Sequence, residues 1–187
     1  FFLTKNSAGP SHQDLMLEIP EVCGMGLHFV LDDFRMLYGG IAALLWFAST
    51  LFSREYFTHY RNRNRYYLFL LLTLGATEGV FLSADFYTMF LFFEMMSFTS
   101  YVWVAQDEKK ASLRAAETYL AVAVIGGLVM LMGIFMIYNM TGTLVFEELA
   151  GCYQMYALTT SSGIPEKKLM IAGICLLVGF GAKAGAF

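Results

Sequence analysis

Four ionisable side chains stand inside long apolar runs of this sequence: Glu78, Glu94, Glu117 and Lys183. Glu94 is the sharpest case. It lies in "LFFEMMSFTSYVWVA", residues 91–105, and the nearest charge before it is Asp85. Lys183 lies in "GFGAKAGAF", among Gly and Ala. An acid and an amine in such surroundings share one chemistry, the uptake and release of protons. A charge at bilayer depth costs from about 2.5 kcal/mol upward and normally faces a partner or a water cavity. Ser97 and Tyr101 follow Glu94 at i+3 and i+7, and Tyr87 precedes it at i−7. On a helix these form one narrow polar stripe, which needs a polar neighbour.

Each of these residues also has a plainer reading. Glu94 could be a protonated acid hydrogen-bonded to another helix, and Lys183 could reach up to the membrane interface. Protonation of a buried lysine is set by burial against nearby carboxylates, which makes it tunable. Glu78, about five residues from a helix end, and Glu117, near the other end of its helix, read better as solvated interfacial carboxylates. With Ser97 and Tyr101 they are accessory candidates.

These residues need long apolar helices to hold them, and the composition supplies them. The chain has 187 residues, 58 % hydrophobic and 14 % charged, with a mean hydropathy of +0.58. Soluble domains run about 45–50 % apolar and about 25 % charged. The expected fold is an all-α membrane protein. Stretches of about 20 apolar residues occur near 34–53, 66–83, 86–105, 113–138 and from 169 onward, which predicts five transmembrane helices. Residues 1–33 read as an extracytoplasmic segment after an upstream helix, with "FFL" as its tail, and 34–187 as the five-helix region. "LVFEELAGCYQMYAL" predicts a short amphipathic surface helix. The chain starts without Met and stops inside an apolar run, as expected for part of a longer membrane protein.

Asp32 and Asp33 precede the first span, and Ser83 and Asp85 the third, as helix caps. The glycine pairs Gly39–Gly40 and Gly126–Gly127 read as helix-packing positions, whereas the glycines around Gly179–Gly181 predict a break in the fifth span. Arg54, Arg61, Arg63 and Arg65 lie in one loop, and Lys109, Lys110 and Arg114 near another. The positive-inside bias places both in the cytoplasm. Cys23, Cys152 and Cys175 share no ligand spacing, and His12, His28 and His59 form no cluster. No phosphate loop, nucleophile triad, metal motif or redox-cofactor motif is legible, so no cofactor is expected. Nor is nucleic acid a partner, because the basic loops lie between spans.

The segments "SADFYTMFLFFEMMSFTSYVWVA", "AAETYL", "YNMTGTLVFEEL" and "GFGAKAGAF" together resemble the antiporter-like proton-pumping subunits. Members of that family occur in the membrane arm of respiratory complex I, in membrane-bound hydrogenases and in multisubunit sodium/proton antiporters. The resemblance covers about residues 25–187. It implies a fold of about fourteen helices with two inverted five-helix repeats, of which the present spans are the third to the seventh. It makes Glu94 the fifth-helix glutamate and Lys183 the lysine of a broken seventh helix, an intramembrane pair that carries protons. The family commonly has a basic residue where this chain has Thr118. The implied function is proton translocation in a redox-driven NADH–quinone oxidoreductase-like pump, any redox catalysis belonging to other subunits. The alternatives are a subunit of a cation/proton antiporter without redox partner and a scaffold in which the pair only fixes helix register. The implied partners are other membrane subunits, the lipid bilayer, and protons or sodium. The expected location is the bacterial plasma membrane, as a multi-pass protein.

Overall fold

The computed structural model of the chain describes residues 2–6, 14–20, 22, 26–59, 63–158 and 166–185. Six helices dominate it: α1 (Asp33–Tyr56), α2 (Arg63–Leu82), α3 (Phe86–Val104), α4 (Lys110–Thr141), α5 (Phe146–Leu158) and α6 (Glu166–Ala184). All five expected spans are present as helices, and α5 is the expected short helix. They begin or end a few residues beyond the apolar windows, because polar ends such as Arg63–Arg65 and Glu166–Lys168 continue the helices. The caps act largely as expected. Asp32 accepts from the backbone N–H of Arg35 at 2.6 Å, and Asp85 from that of Thr88 at 2.5 Å. Ser83 instead closes α2, donating to the Val80 carbonyl at 2.6 Å. α4 ends at Gly142, whose φ of 75° is the left-handed conformation that glycine adopts without strain.

The fold is not purely α. Residues within 1–31 form a three-stranded antiparallel sheet of β1 (Phe2–Asn6), β2 (Asp14–Ile19) and β3 (Leu27–Leu31), ordered β1-β2-β3. "FFL" is therefore not the tail of a helix: Phe2 and Leu3 lie in β1. The cause is a two-residue alternation, in which Leu15, Leu17 and Ile19 share one side of β2. The sheet is tied to the helices by backbone. Ala84 N–H donates to the His28 carbonyl at 2.9 Å, Phe86 to Leu144 at 3.1 Å and Phe146 to Ala84 at 3.2 Å. One end of the molecule thus gathers β3, the α2–α3 turn and the α4–α5 turn. At the other end, Arg65 Nη2 meets Glu108 Oε1 at 2.7 Å, which joins the two basic loops.

The distribution of polarity is that of a membrane protein. Thr88, Ser97, Thr99 and Ser100 are buried on α3, whereas Phe98 and Met95 are exposed. Thr73 of α2 donates to Thr99 at 3.0 Å. α1 turns Phe34, Leu44, Phe47 and Phe52 outward. Among the described residues, α1, α2 and α4 are each long and apolar enough to cross a membrane. α3 and α6 fall short because they carry Glu94 with its hydroxyl neighbours and four charges, respectively.

α4 and α6 pack closely through small residues. Gly126 faces Ala182, and Gly133 faces Ala172 and Cys175. Such residues let backbones approach where lipid offers no hydrophobic drive. This use of glycine also explains why the expected break is missing. α6 is helical through Gly179–Gly181, and Gly179 lies against Met130 and the Gly126 carbonyl. The helix ends instead at Ala184, just past Lys183, and Gly185 has a φ of 73°.

Candidate functional site

α3 and α6 bring Glu94 and Lys183 together, 89 residues apart in sequence. Lys183 Nζ lies 2.9 Å from Glu94 Oε1, with the side chains 5 % and 18 % exposed. The ammonium also donates to the Phe93 carbonyl at 3.1 Å and to Ser97 Oγ. The ammonium thus lies against three oxygens, as many as a protonated lysine has N–H donors. The Phe93 ring adds its face, 4.9 Å from Nζ to centroid, an attractive place for a cation. Phe180 braces that ring edge-on, with centroids 5.5 Å apart. Glu94 Oε1 is buried and has no hydrogen-bond partner among the described residues beyond this ion pair.

The wall behind the carboxylate is Gly127 of α4. A Cβ built there would collide with Glu94 Oε1 and lie 2.7 Å from Cδ. The pair is therefore held from three sides: α3 supplies Glu94, Phe93 and Ser97, α6 supplies Lys183, and α4 supplies an absence. At about 4 Å and an effective dielectric of about 20, opposite charges attract by about 4 kcal/mol. Burying both costs a comparable amount, so the pair is poised rather than strongly stabilising.

A second polar group continues from the pair toward the Arg65–Glu108 end. Ser100 Oγ donates to the Ser97 carbonyl at 3.1 Å and shares a 2.7 Å hydrogen bond with Tyr119 OH. A cavity of about 290 Å³ lies alongside, lined by Thr118, Tyr119, Val122, Ala182, Lys183 and Gly185. Thr118, at the family's usual basic position, donates to the Arg114 carbonyl at 3.0 Å and brings no charge.

Of the residues singled out from sequence, Glu94, Lys183 and Ser97 meet. Tyr101 is half-buried on α3 and makes no bond to the pair. Glu117 is exposed on α4. Glu78 differs from expectation: its Oε1 is buried without a partner among the described residues, and its Oε2 would lie 2.6 Å from a Cβ on Gly39 of α1. Sequence reasoning missed Ser100, Tyr119 and the role of Gly127. Tyr119 is 19 residues from Ser100 on another helix, and no local pattern links them. Gly127 was visible as half of a glycine pair, but only Gly126 serves helix packing. Cys152 and Cys175 are free, whereas Cys23 and His12 lie outside the described residues. No cluster of metal-ligating side chains occurs among the described residues.

Comparison with known proteins adds the family. Residues 83–187 match the family model described as NADH:quinone oxidoreductase/Mrp antiporter, TM. A Na(+)/H(+) antiporter subunit of Alkalihalophilus pseudofirmus is 26 % identical, over 87 % of this chain and 31 % of its own length. The Na(+)/H(+) antiporter subunit A1 of Staphylococcus haemolyticus is 31 % identical, over 83 % of this chain and 18 % of its own. This chain thus spans about a third or less of these relatives. A chain of the membrane-bound sulfane sulfur reductase, an archaeal respiratory membrane complex, superposes with a TM-score of 0.71 at 27 % identity, covering 89 % of this chain and 25 % of that one. A chain of the Mrp complex from Dietzia sp. DQ12-45-1b shares the fold, with a TM-score of 0.67 at 21 % identity over 90 % of this chain and 30 % of its own. With its matched region starting at the α2–α3 turn and including both Glu94 and Lys183, the chain belongs to the NADH:quinone oxidoreductase/Mrp antiporter transmembrane family, as a multi-pass membrane protein of the antiporter-like kind.

Proposed function

We propose that this chain is the proton-handling part of an antiporter-like subunit in a multisubunit membrane complex, and that Glu94 and Lys183 are its proton switch. The single observation that carries this reading is the buried 2.9 Å ion pair between α3 and α6. While Glu94 stays close, Lys183 has three acceptors and holds its proton. When a neighbouring charge draws Glu94 away, the ammonium loses its charged partner in a low-dielectric setting and releases the proton. Ser97, Ser100 and Tyr119 lead from the lysine to the cavity beside it, on the side of the basic loops. Those loops face the cytoplasm, in keeping with the positive-inside bias. All five helices α1, α2, α3, α4 and α6 cross the bilayer, and the charges on α3 and α6 face each other instead of lipid. They belong to a longer inverted-repeat fold in the plasma membrane of a bacterium.

Two drivers fit this switch. The Na(+)/H(+) antiporter subunits among the sequence relatives favour exchange of protons against a cation. The likeness to a chain of an archaeal respiratory membrane complex favours a redox-driven pump. Vesicles carrying the complete complex separate them. A sodium gradient that moves protons without any electron donor supports the antiporter. Proton movement that requires an electron donor supports the redox pump. In either case Glu94→Gln abolishes the movement while the subunit remains assembled; full activity of that variant leaves the pair a structural feature and ends the proposal.

A further inference from the structure

Glu78 stands apart from the pair and has an environment of its own. α2 and α3 run antiparallel, with Thr73 bonded to Thr99 and Thr77 to the Met96 sulfur. Gly79 faces the Phe92 ring. This register puts Glu78 level with residues 93–94, at the height of Glu94 and not at an interface. Its side chain faces the other way, toward α1. There Gly39 leaves room for it, since a Cβ at that position would lie 2.6 Å from Glu78 Oε2. Glu78 Oε1 is buried and has no partner among the described residues. A carboxylate oxygen at membrane depth without a donor is costly; a proton removes that cost.

The surroundings also supply a route and a counter-charge. On the β-sheet side of Glu78, an open cavity of about 330 Å³ is lined among others by Arg35 and Tyr38 of α1, Val80 and Phe81 of α2, Met89 of α3 and Phe146 of α5. Arg35 is four residues before Gly39, so it sits on the same face of α1, one turn nearer the β-sheet end. Its guanidinium is held by Asp32, Nη1 to Oδ2 at 3.0 Å. Among the described residues, the other charged or titratable groups near this end are Asp33 and Tyr38 on α1, Asp85 at the start of α3, His28 on β3, Glu18 on β2, and Glu147 and Glu148 in the first turn of α5. Asp85 is engaged by Thr88, and His28 lies between Glu18 and Asp85. Arg35 is thus the cation best placed to compensate Glu78 when its proton leaves for water in the cavity.

We propose that Glu78 is a second proton-binding carboxyl, separate from the Glu94–Lys183 pair and reached from the β-sheet end by way of this cavity. The proposal does not depend on that pair and is tested without a transport assay. The complete complex in sealed vesicles is treated with a water-soluble, membrane-impermeant carbodiimide, which modifies protonated carboxyls, and modified residues are mapped by mass spectrometry. Glu147→Cys, on exposed α5 at the β-sheet end, marks the side with an impermeant maleimide. Glu78 is expected to be modified from the side that labels Glu147→Cys, with a yield that falls as pH rises on that side. Gly39→Ala, which occupies the carboxyl's space, is expected to lose most of the modification. An unmodified Glu78 at every pH, or modification only from the opposite side, overturns the proposal. So does suppression by sodium at constant pH, which would make the site one for a metal cation. Because the reference is a residue at the same end of the molecule, the outcome holds whichever way the protein lies in the membrane.

Discussion

Gly127 leaves empty the space into which Glu94 turns its carboxylate. A side chain as small as alanine at position 127 would overlap Glu94 Oε1, so the ion pair depends on a residue that makes no polar contact. Gly127→Ala is expected to push the carboxylate off Lys183 while leaving α4 as helical as before. Breaking a buried pair costs about 3–5 kcal/mol, so transport should fall at least about tenfold. Gly40→Ala, where nothing lies within 4 Å, is the control and should transport normally. Transport assays on both, normalised to protein content, check this; equal activities would mean that Glu94 can shift without consequence.

The hydroxyl groups between Lys183 and the neighbouring cavity should matter by less. Tyr119→Phe removes only the 2.7 Å bond to Ser100. A neutral hydrogen bond contributes about 1 kcal/mol, so transport is expected to slow about fivefold if the bond lies on the path. Ser97→Ala, which removes a direct partner of the ammonium, should slow it more. Initial rates in vesicles order the two variants; Tyr119→Phe at the wild-type rate would take Tyr119 out of the route.

The Arg65–Glu108 contact puts the two basic loops at one end, and the Phe146–Ala84 bond puts α5 at the other. Lys110→Cys is therefore expected to react with an impermeant thiol reagent from the cytoplasmic face alone, and Glu147→Cys from the opposite face alone. Reaction of both from one face would contradict the described topology. Reversed faces would contradict only the orientation.

Close approach of α4 and α6 is what brings α6 to α3 at the right height. At Gly133 a Cβ would already lie 2.9 Å from the Ala172 carbonyl. Gly133→Leu is expected to separate the helices and lower the amount of assembled protein, since overpacking typically costs about 1–3 kcal/mol. Gel filtration of the solubilised complex measures this, and unchanged assembly would show that the contact tolerates expansion.

How much of this was legible in the sequence varies with the range of the interaction. The five long helices were legible because each is written in a predominantly apolar stretch of about 20 residues, and the Asp32 and Asp85 caps because they act three residues away. Glu94 and Lys183 stood out because each is an isolated charge in apolar surroundings. The sheet was less visible, although Leu15, Leu17 and Ile19 alternate cleanly, because its strands are short and separated by Gly and Pro. Glycines were the hardest to read. Gly39 and Gly127 make room for carboxylates, Gly126 and Gly179 make room for a helix, and the composition around all four is the same. Only the partner across the interface distinguishes these roles, and a single sequence does not contain it. The same limit applies to Glu78, whose height beside Glu94 depends on the register of α2 against α3.

The account rests on Glu94 and Lys183 acting as one unit, and a double-mutant cycle on proton translocation tests that most directly. Glu94→Gln, Lys183→Met and the double variant are compared in vesicles with matched protein content. Each single change leaves the other group buried without its partner, so each should remove most of the activity. The double change should then cost little more than either single one, because residues that work together lose their function once. Losses that multiply in the double variant would mean that the two residues serve independent steps, and would contradict the paired switch.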